Sequence, residues 1–368
     1  MCGIVGFVGK QGNKEQVLDD MMKVIIHRGP DSAGKYVNDQ VALGFRRLSI
    51  IDLENGSQPM FNEDGEVGIV FNGEIYNSPE LRERFQAKGH VFKNSSDTET
   101  LVHGYEEYGE KLVHELRGMF GFAIWDNKKK RLFMARDFFG IKPVYYAMIR
   151  GNLVFGSEIK SILEFPGFKK EVNNEALEEY LSFQYSNLPE TFFKGVYRLL
   201  PGHNLTYQNG ELNVTQYFDP TLEPVSKDSQ EELVKKLTNV LEDSVDKHML
   251  ADVEVGAFLS SGVDSSYIAA KYSGKKTFTV GFFDKNNQYS ETQYAEECAK
   301  FLGLENYSHQ ITEEEYWGEM PKIMYHMDEP LADPAAIALY FVAREAAKQV
   351  KVVTSGEGAD EFFGGYTI

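Results

Sequence analysis

The chain has 368 residues, 42% of them hydrophobic and 26% charged, with a formal net charge of −18 and two cysteines, Cys2 and Cys298. This is the composition of a globular protein with room for about two cores, and its acidity argues against nucleic acid or an anionic membrane as a partner, since both need a basic face. Two cysteines exclude a disulfide framework, no apolar run approaches the ~18 residues of a membrane helix, and residues 1–20 hold no signal-peptide core, so the expected location is the cytoplasm.

The chain opens Met1-Cys2-Gly3-Ile4-Val5-Gly6-Phe7. Removal of Met1 leaves Cys2 with a thiol and a free α-amine. The amine titrates near pH ~8, close enough to neutrality to take a proton, and the thiol is the best side-chain nucleophile at pH 7. Short apolar runs then alternate with turns: IVGFVG, YVNDQVALGF, GEVGIVFNGEIY, FGFAIWD, RLFMARD, PVYYAMI and NLVFGSE. They predict a two-sheet β structure. Helical spacing predicts helices over Lys14–Ile26, with Val17, Met21, Val24 and Ile25 on one face, and over Thr98–Tyr108. The fold class of this half is α+β. Lys128-Lys129-Lys130-Arg131, between two strand patterns, reads as a solvated hairpin turn.

Four polar islands interrupt these elements: His27-Arg28-Gly29-Pro30-Asp31, Phe45-Arg46-Arg47-Leu48-Ser49-Ile50, Phe71-Asn72-Gly73-Glu74-Ile75-Tyr76-Asn77 and Ser95-Ser96-Asp97-Thr98-Glu99. Each has an ordinary explanation alone. Asn-Gly is a hairpin turn, Ser-Ser-Asp an N-cap, the arginines surface ion pairs, and Gly29-Pro30-Asp31 a plain turn. Together they suit the amide of an α-amino acid. The Asn72 side chain and the Gly73 N–H supply two donors for an oxyanion. Arg47 offers a bidentate partner for an α-carboxylate, and Glu74 and Asp97 offer carboxylates for an α-ammonium.

CGIVGF, HRGPDSAG, RRLSI, NGEIYN and SSDTE, in this order, resemble the class II glutamine amidotransferases, the N-terminal-nucleophile glutaminases. The resemblance covers roughly residues 2–190. It implies a four-layer αββα domain in which Cys2 hydrolyses glutamine, with Asn72 and Gly73 at the oxyanion. Glutamine would be held by Arg47, Leu48, Ser49, Ile50 and Ile51 together with Asn72, Gly73, Glu74 and Asp97. Phe45 departs from the pattern, standing where many relatives carry histidine.

The pattern loosens after Pro201. A strand-like YQNGELNVTQYF turns at Asn209-Gly210, and Pro, Ser and charge accumulate over Thr221–Asp228. The expected domains are 2–210 and 229–368, with 211–228 as linker. Ser229 and Glu232 have capping-box spacing before a helix with Leu233, Leu237, Val240, Leu241 and Val245 on one face. Strand and helix then alternate. VEVGAFLSS, KKTFTVGF, NYSHQIT and KVVTSG alternate with helices from Gly262 on and over Ser290–Leu302, Glu313–Met327 and Ala335–Gln349. Strands expected to be buried on both faces predict a doubly wound parallel α/β sheet.

Leu259-Ser260-Ser261-Gly262-Val263-Asp264-Ser265 follows the first of these strands and opens a helix, a place where N–H groups can receive a pyrophosphate. It is neither a Walker loop nor GxGxxG, and Asp264 suits an anion only with a divalent cation between them. A Ser-rich N-cap loop is the plainer reading. The loop resembles the pyrophosphate loop of ATP pyrophosphatases, with Ser261 in place of a glycine whose turn it is expected to preserve. Ser355-Gly356-Glu357-Gly358-Ala359-Asp360-Glu361 through Tyr366 resembles the second signature of asparagine synthetases.

That family resemblance implies ATP bound by Leu259 through Ser265, Val280, Ser355 and Gly356, and Mg2+ held by Asp264 and Asp360. Glu357 would assist formation of a β-aspartyl adenylate and its capture by ammonia. Glutamine, aspartate and ATP would be the partners, with room for a homodimer. Asp328–Pro334 also looks family-like, although a helix-breaking turn accounts for it equally well. Relatives continue past the Gly-Gly-Tyr motif whereas this chain stops at Thr367-Ile368, so a truncated synthetase half with glutaminase activity alone is one alternative expectation. A related amidotransferase acting on another carboxylate acceptor is the other.

Overall fold

β1 (Gly3–Val8) is buried along its whole length, and its alternate residues face two different cores. Ile4 and Val8 share a core with Val70, Trp125 and Leu132, whereas Val5 and Phe7 pack with Val17, Leu18, Met21 and Ile159. A strand apolar on both faces must be covered on both sides, and that requirement builds the layers around it. In this computed structural model, which describes residues 1–221, 226–283 and 292–366, the chain divides into two units, Met1–Glu223 and Pro224–Ile368.

In the first unit β1 is followed by α1 (Lys14–Lys23), β2 (Ser32–Val37), β3 (Val41–Arg47), β4 (Met60–Phe61) and β5 (Val67–Ile75). Next come α2 (Ser78–Ala87), α3 (Asp97–Tyr108), β6 (Gly118–Asp126), β7 (Arg131–Arg136), β8 (Tyr145–Ile149) and β9 (Asn152–Gly156). The unit ends with α4 (Ile159–Leu163), α5 (Asn174–Phe183), β10 (Val196–Arg198), β11 (His203–Gln208) and β12 (Glu211–Gln216). The strands form two antiparallel sheets, in the orders β10-β8-β9-β1-β3-β2 and β12-β11-β7-β6-β5-β4. In the second sheet Ile69, Phe71, Phe122 and Phe133 pack with Phe85, Leu101 and Val102 of α2 and α3, while Val70, Ala123, Trp125 and Met134 meet the first sheet. The layers run helix, sheet, sheet, helix, the αββα arrangement expected.

Several local expectations change. The first helix stops at Lys23, and Ile25 leaves helical angles (φ −114°, ψ 21°) before a 3-10 turn over Ile26–Arg28. Asn72-Gly73 is no turn. Both residues lie inside β5, in register with Gly121 and Phe120 of β6. Asn209-Gly210 does turn, with φ of 53° and 83°, as a two-residue hairpin requires. Glu211–Gln216 therefore belongs to the second sheet, although the linker was expected from residue 211; part of that stretch, 222–225, lies outside the described residues. The lysine run is the hairpin turn between β6 and β7, with Lys128 on Asp64 and Lys129 on Asp126.

The second unit opens with α6 (Gln230–His248), whose N-terminus carries the expected Ser229–Glu232 capping box. It continues through β13 (Val255–Phe258), α7 (Val263–Lys271), β14 (Lys276–Phe282), α8 (Thr292–Leu302) and β15 (Glu305–Ile311). The expected start of α8 at Ser290 lies outside the described residues. Then come α9 (Glu313–Met327), α10 (Ala335–Ala346), β16 (Val352–Thr354) and α11 (Ala359–Phe363). The sheet is parallel, in the order β15-β14-β13-β16. The order reverses between β13 and β16, and the strand ends beside such a reversal form a ligand crevice.

Burial on both faces holds for much of β13 and β14 but not for β15 and β16, which are the sheet edges. On α6 only Val245 is buried, while Leu233, Leu237 and Val240 of the expected stripe are exposed. Periodicity marks a face without supplying its cover. Among the described residues no helix is long and apolar enough to cross a membrane.

Candidate active site

Cys2 immediately precedes β1, and three elements fix it. The Leu48 N–H lies 3.4 Å from its Sγ, which in turn lies 3.5 Å from the Leu48 carbonyl oxygen. Arg28 Nε donates to the Cys2 carbonyl (2.9 Å) and Nη1 to Glu158 (3.0 Å). Glu158 follows β9 and also accepts from His27 (2.9 Å) and Lys160. Burial opposes its charge, but the hydrogen bond to His27 and the positive charges of Arg28 and Lys160 hold the carboxyl down at about 2. Arg28, read from the sequence as a surface ion pair, is thus a mostly buried anchor of the nucleophile. Asp31 completes the island by accepting the Ser49 N–H (2.9 Å).

One cavity gathers Cys2, Arg47, Leu48, Ile50, Ile51, Asn72, Gly73, Glu74 and Asp97. Ser49, expected among them, does not line it. The Arg47 guanidinium reaches the cavity wall but is largely committed, donating to the carbonyls of Leu53 (3.0 Å), Ile51 (3.3 Å) and Asp52. It shapes the loop after β3 as much as it faces a ligand. The cavity also includes Met1 and three side chains that no sequence motif marked, Gln58, Met119 and Lys142. Lys142 is buried, which pushes its ammonium pKa down, and its Nζ lies 3.1 Å from Met1 Sδ.

The edge of β5 supplies the donors. β4 pairs only with Ile69 and Gly68, leaving the rest of that edge without a strand. Gln58 substitutes at Phe71, accepting its N–H at 2.6 Å and donating to its carbonyl at 3.2 Å. Four residues on, the Ile75 N–H donates to Asp97 Oδ2 at 2.9 Å. In an antiparallel ladder alternate residues point the same way, so the Gly73 N–H between them also faces this edge. Phe120, opposite Gly73, donates its N–H to Asp137 Oδ2 and accepts the Asp137 N–H on its carbonyl. A Cβ on Gly73 would stand 2.1 Å from the Met119 carbonyl oxygen, so only glycine fits. The Asn72 Nδ2 beside it is buried with no hydrogen-bond partner among the described residues. An amide donor in that state calls for an acceptor.

The carboxyls are poised to meet a cation. Burial, with the nearby Asp97 charge adding, pushes Glu74 up to about 7. Burial also lifts Asp97 to about 6 against N–H donors from Ile75 and Thr98. The chain's terminal amine is held by burial at about 5 and the Cys2 thiol is pushed up for the same reason.

In the second unit the two signature loops meet at the reversal of the sheet. A Cβ on Gly356 would lie 3.1 Å from Asp264 Cβ and 3.2 Å from the Ser265 nitrogen. Leu259 is buried at the end of β13, its N–H on Phe278 and its carbonyl on Thr279 Oγ1. Ser265 Oγ accepts the Ser260 N–H (3.1 Å) and closes the loop. Ser261 preserves the turn at φ 68°, a left-handed conformation that costs a non-glycine residue ~1 kcal/mol or more. Val280 is half-buried on β14, while Ser260, Gly262, Val263 and Glu357 are exposed. Asp360 lies in α11, one turn beyond Ser355 and Gly356. Asp264, in a loop of N–H groups that opens a helix, has the chemistry to meet a pyrophosphate through a hard divalent cation.

A cysteine at position 2 that shares a cavity with the β5 edge, on a four-layer αββα unit whose chain continues into a doubly wound parallel sheet, is the architecture of a two-domain amidotransferase. Residues 1–218 match the glutamine amidotransferase domain family and residues 236–368 the asparagine synthase family. Over its whole length the chain is 47% identical to asparagine synthetase [glutamine-hydrolyzing] 1 of Bacillus subtilis, of which it covers 59%. It is 41% identical to a putative asparagine synthetase of Mycobacterium tuberculosis, covering 61% of it, and 34% identical to putative asparagine synthetase 2 of Methanocaldococcus jannaschii, covering 76%. The chain belongs to the glutamine-hydrolysing asparagine synthetase family.

One stability test follows from the Glu158 cluster. A carboxyl held near 2, against an ordinary 4.5, stabilises the fold above pH 4.5 and loses that contribution as pH falls toward 2. Urea unfolding should weaken over that window, and Glu158→Gln should flatten the dependence while lowering stability at pH 7. An unchanged acid limb in the variant would contradict the assignment.

Proposed function

We propose that the chain hydrolyses glutamine at Cys2 and uses the ammonia to convert aspartate to asparagine with ATP, releasing AMP and pyrophosphate in the cytoplasm. The observation that carries the first half is the unpartnered Asn72 amide beside the Gly73 N–H edge, in the cavity that also holds Cys2. After Met1 is removed, the free amine belongs to Cys2 itself. An α-amine ordinarily titrates near pH ~8, so a fraction of it is unprotonated at neutral pH and can take the thiol proton. Sγ then adds to the side-chain amide carbon of glutamine, and the oxyanion is met by Asn72 Nδ2 and the Gly73 N–H. The proton passes from the amine to the departing nitrogen, ammonia leaves, and water hydrolyses the thioester through a second oxyanion to give glutamate. Glu74 and Asp97 hold the substrate ammonium, and Arg47 with the Leu48–Ile51 loop the carboxylate end.

The adenylation chemistry belongs to residues 229–368, as glutamine hydrolysis belongs to 2–210 with β12 completing its sheet. The Ser260–Ser265 loop, Ser355 and Gly356 would receive the phosphates, with Leu259 and Val280 beside the base. Asp264 and Asp360 would hold Mg2+, which supplies charge neutralisation between carboxylates and phosphates. Glu357, exposed at the loop, would attend the aspartate adenylate and the incoming ammonia.

Incubation with glutamine, aspartate and Mg·ATP should give asparagine, AMP, pyrophosphate and glutamate. Cys2→Ala should abolish the glutamine-dependent products, and Asn72→Ala should lower glutamate formation by roughly 10²–10³-fold. Parental glutamine hydrolysis in Cys2→Ala would overturn the proposal, while glutamate without asparagine would leave only its glutaminase half. Because Glu74 must be ionised to hold an ammonium and titrates at about 7, KM for glutamine should rise as pH falls from 8 to 6. Glu74→Gln should raise KM throughout and remove that slope; a slope retained in the variant would assign it to another group.

A further inference from the structure

The geometry points to a transition-metal site in the first unit, built by Glu63, His90, His103 and Glu106 and separate from the cysteine cavity. Ligand atoms of Glu63, His90 and His103 lie within 4.8 Å of one another. Glu106 Oε2 sits among them, 2.9 Å from His103 Nδ1 and 3.7 Å from His90 Nδ1. Glu63 Oε2 is 3.8 Å from His103 Nδ1. Zn2+ with ~2.0–2.2 Å bonds spaces tetrahedral donors by roughly 3.3 Å, so small rotations of two carboxylates would close the shell.

Chelating residues are normally oriented through their outward atoms, and three of these four are. His90 Nε2 is engaged by Glu107 Oε1 at 2.9 Å, leaving Nδ1 for the metal. Glu106 Oε1 accepts Asn62 Nδ2 at 2.7 Å, leaving Oε2. Glu63 Oε1 accepts the Val91 N–H at 3.2 Å, leaving Oε2. His103 is only 1% exposed, and its Nε2 has no partner among the described residues. Its ring is wedged instead between His90 and Phe92, with centroids 4.7 and 4.6 Å away. Two neutral imidazoles and two carboxylates balance one divalent ion, and imidazole selects Zn2+ or Co2+ over Mg2+. Glu107 carries its own counter-ion in Lys88. The ion would join the segments after β4 and α2 to α3, the helix that begins at Asp97 in the cysteine cavity.

Metal-stripped full-length chain titrated with Co2+ should show one equivalent of a tetrahedral visible band without a thiolate charge-transfer band, displaced by Zn2+ and unaffected by millimolar Mg2+. His90→Gln, at a partly exposed position, should weaken Co2+ binding at least tenfold while circular dichroism stays unchanged, and Glu63→Gln should do likewise. Cys2→Ala should bind as the parent does. Absence of the band, equal binding in His90→Gln, or loss of binding in Cys2→Ala would each overturn the site and leave the cluster as ion pairs alone.

Discussion

The first unit depends on an unfinished sheet edge. β4 covers two residues of β5 and then departs, which leaves the backbone of Phe71, Gly73 and Ile75 without a strand to bond. Buried backbone groups cannot be left unpaired without cost, and side chains do what a strand would have done. Gln58 takes both groups of Phe71 and Asp97 takes the Ile75 N–H, while Gly73 faces the cavity between them. Side chains on either side thus satisfy that edge around the Gly73 N–H, an arrangement that suits an anion. Its neighbour Asn72, buried and without a partner at Nδ2 among the described residues, offers a further donor.

Electrostatics complete that arrangement. The same burial that lifts Glu74 and Asp97 lowers the terminal amine and the Lys142 ammonium. Burial disfavours the charged form of each group, and a ligand carrying ammonium and carboxylate supplies counter-charges. Against this, Arg28, His27 and Lys160 hold Glu158 fully ionised. One carboxylate serves as architecture and the other two remain responsive, a division set by how many cations each one meets.

The layers of the first unit were legible because the apolar alternation of β1, β5, β6 and β7 demands cover on both faces. The cavity was legible because polar islands that are ordinary one by one together offer donors, a guanidinium and carboxylates, and most of those residues line it. Other features depend on contacts that lie far apart in the chain. Asn72-Gly73 reads as a turn by local preference, and only pairing with Gly121 and Phe120 keeps it extended. Gln58 carries no local signal, since its partner Phe71 stands thirteen residues away. Arg47 was expected to be free for a carboxylate, but the loop that follows it turns back and supplies carbonyls to its guanidinium. In the second unit Ser261 shows why glycine suits that loop position: its φ is 68°.

The account rests on Cys2 becoming a processed, N-terminal nucleophile opposite those donors. Intact-mass and peptide mass spectrometry of the chain after exposure to an electrophilic glutamine analogue tests this most directly. The result predicted is loss of Met1 and a single adduct on the Cys2 peptide, suppressed by excess glutamine. Retained Met1 on active chain, or an adduct on Cys298 with Cys2 unmodified, would contradict it.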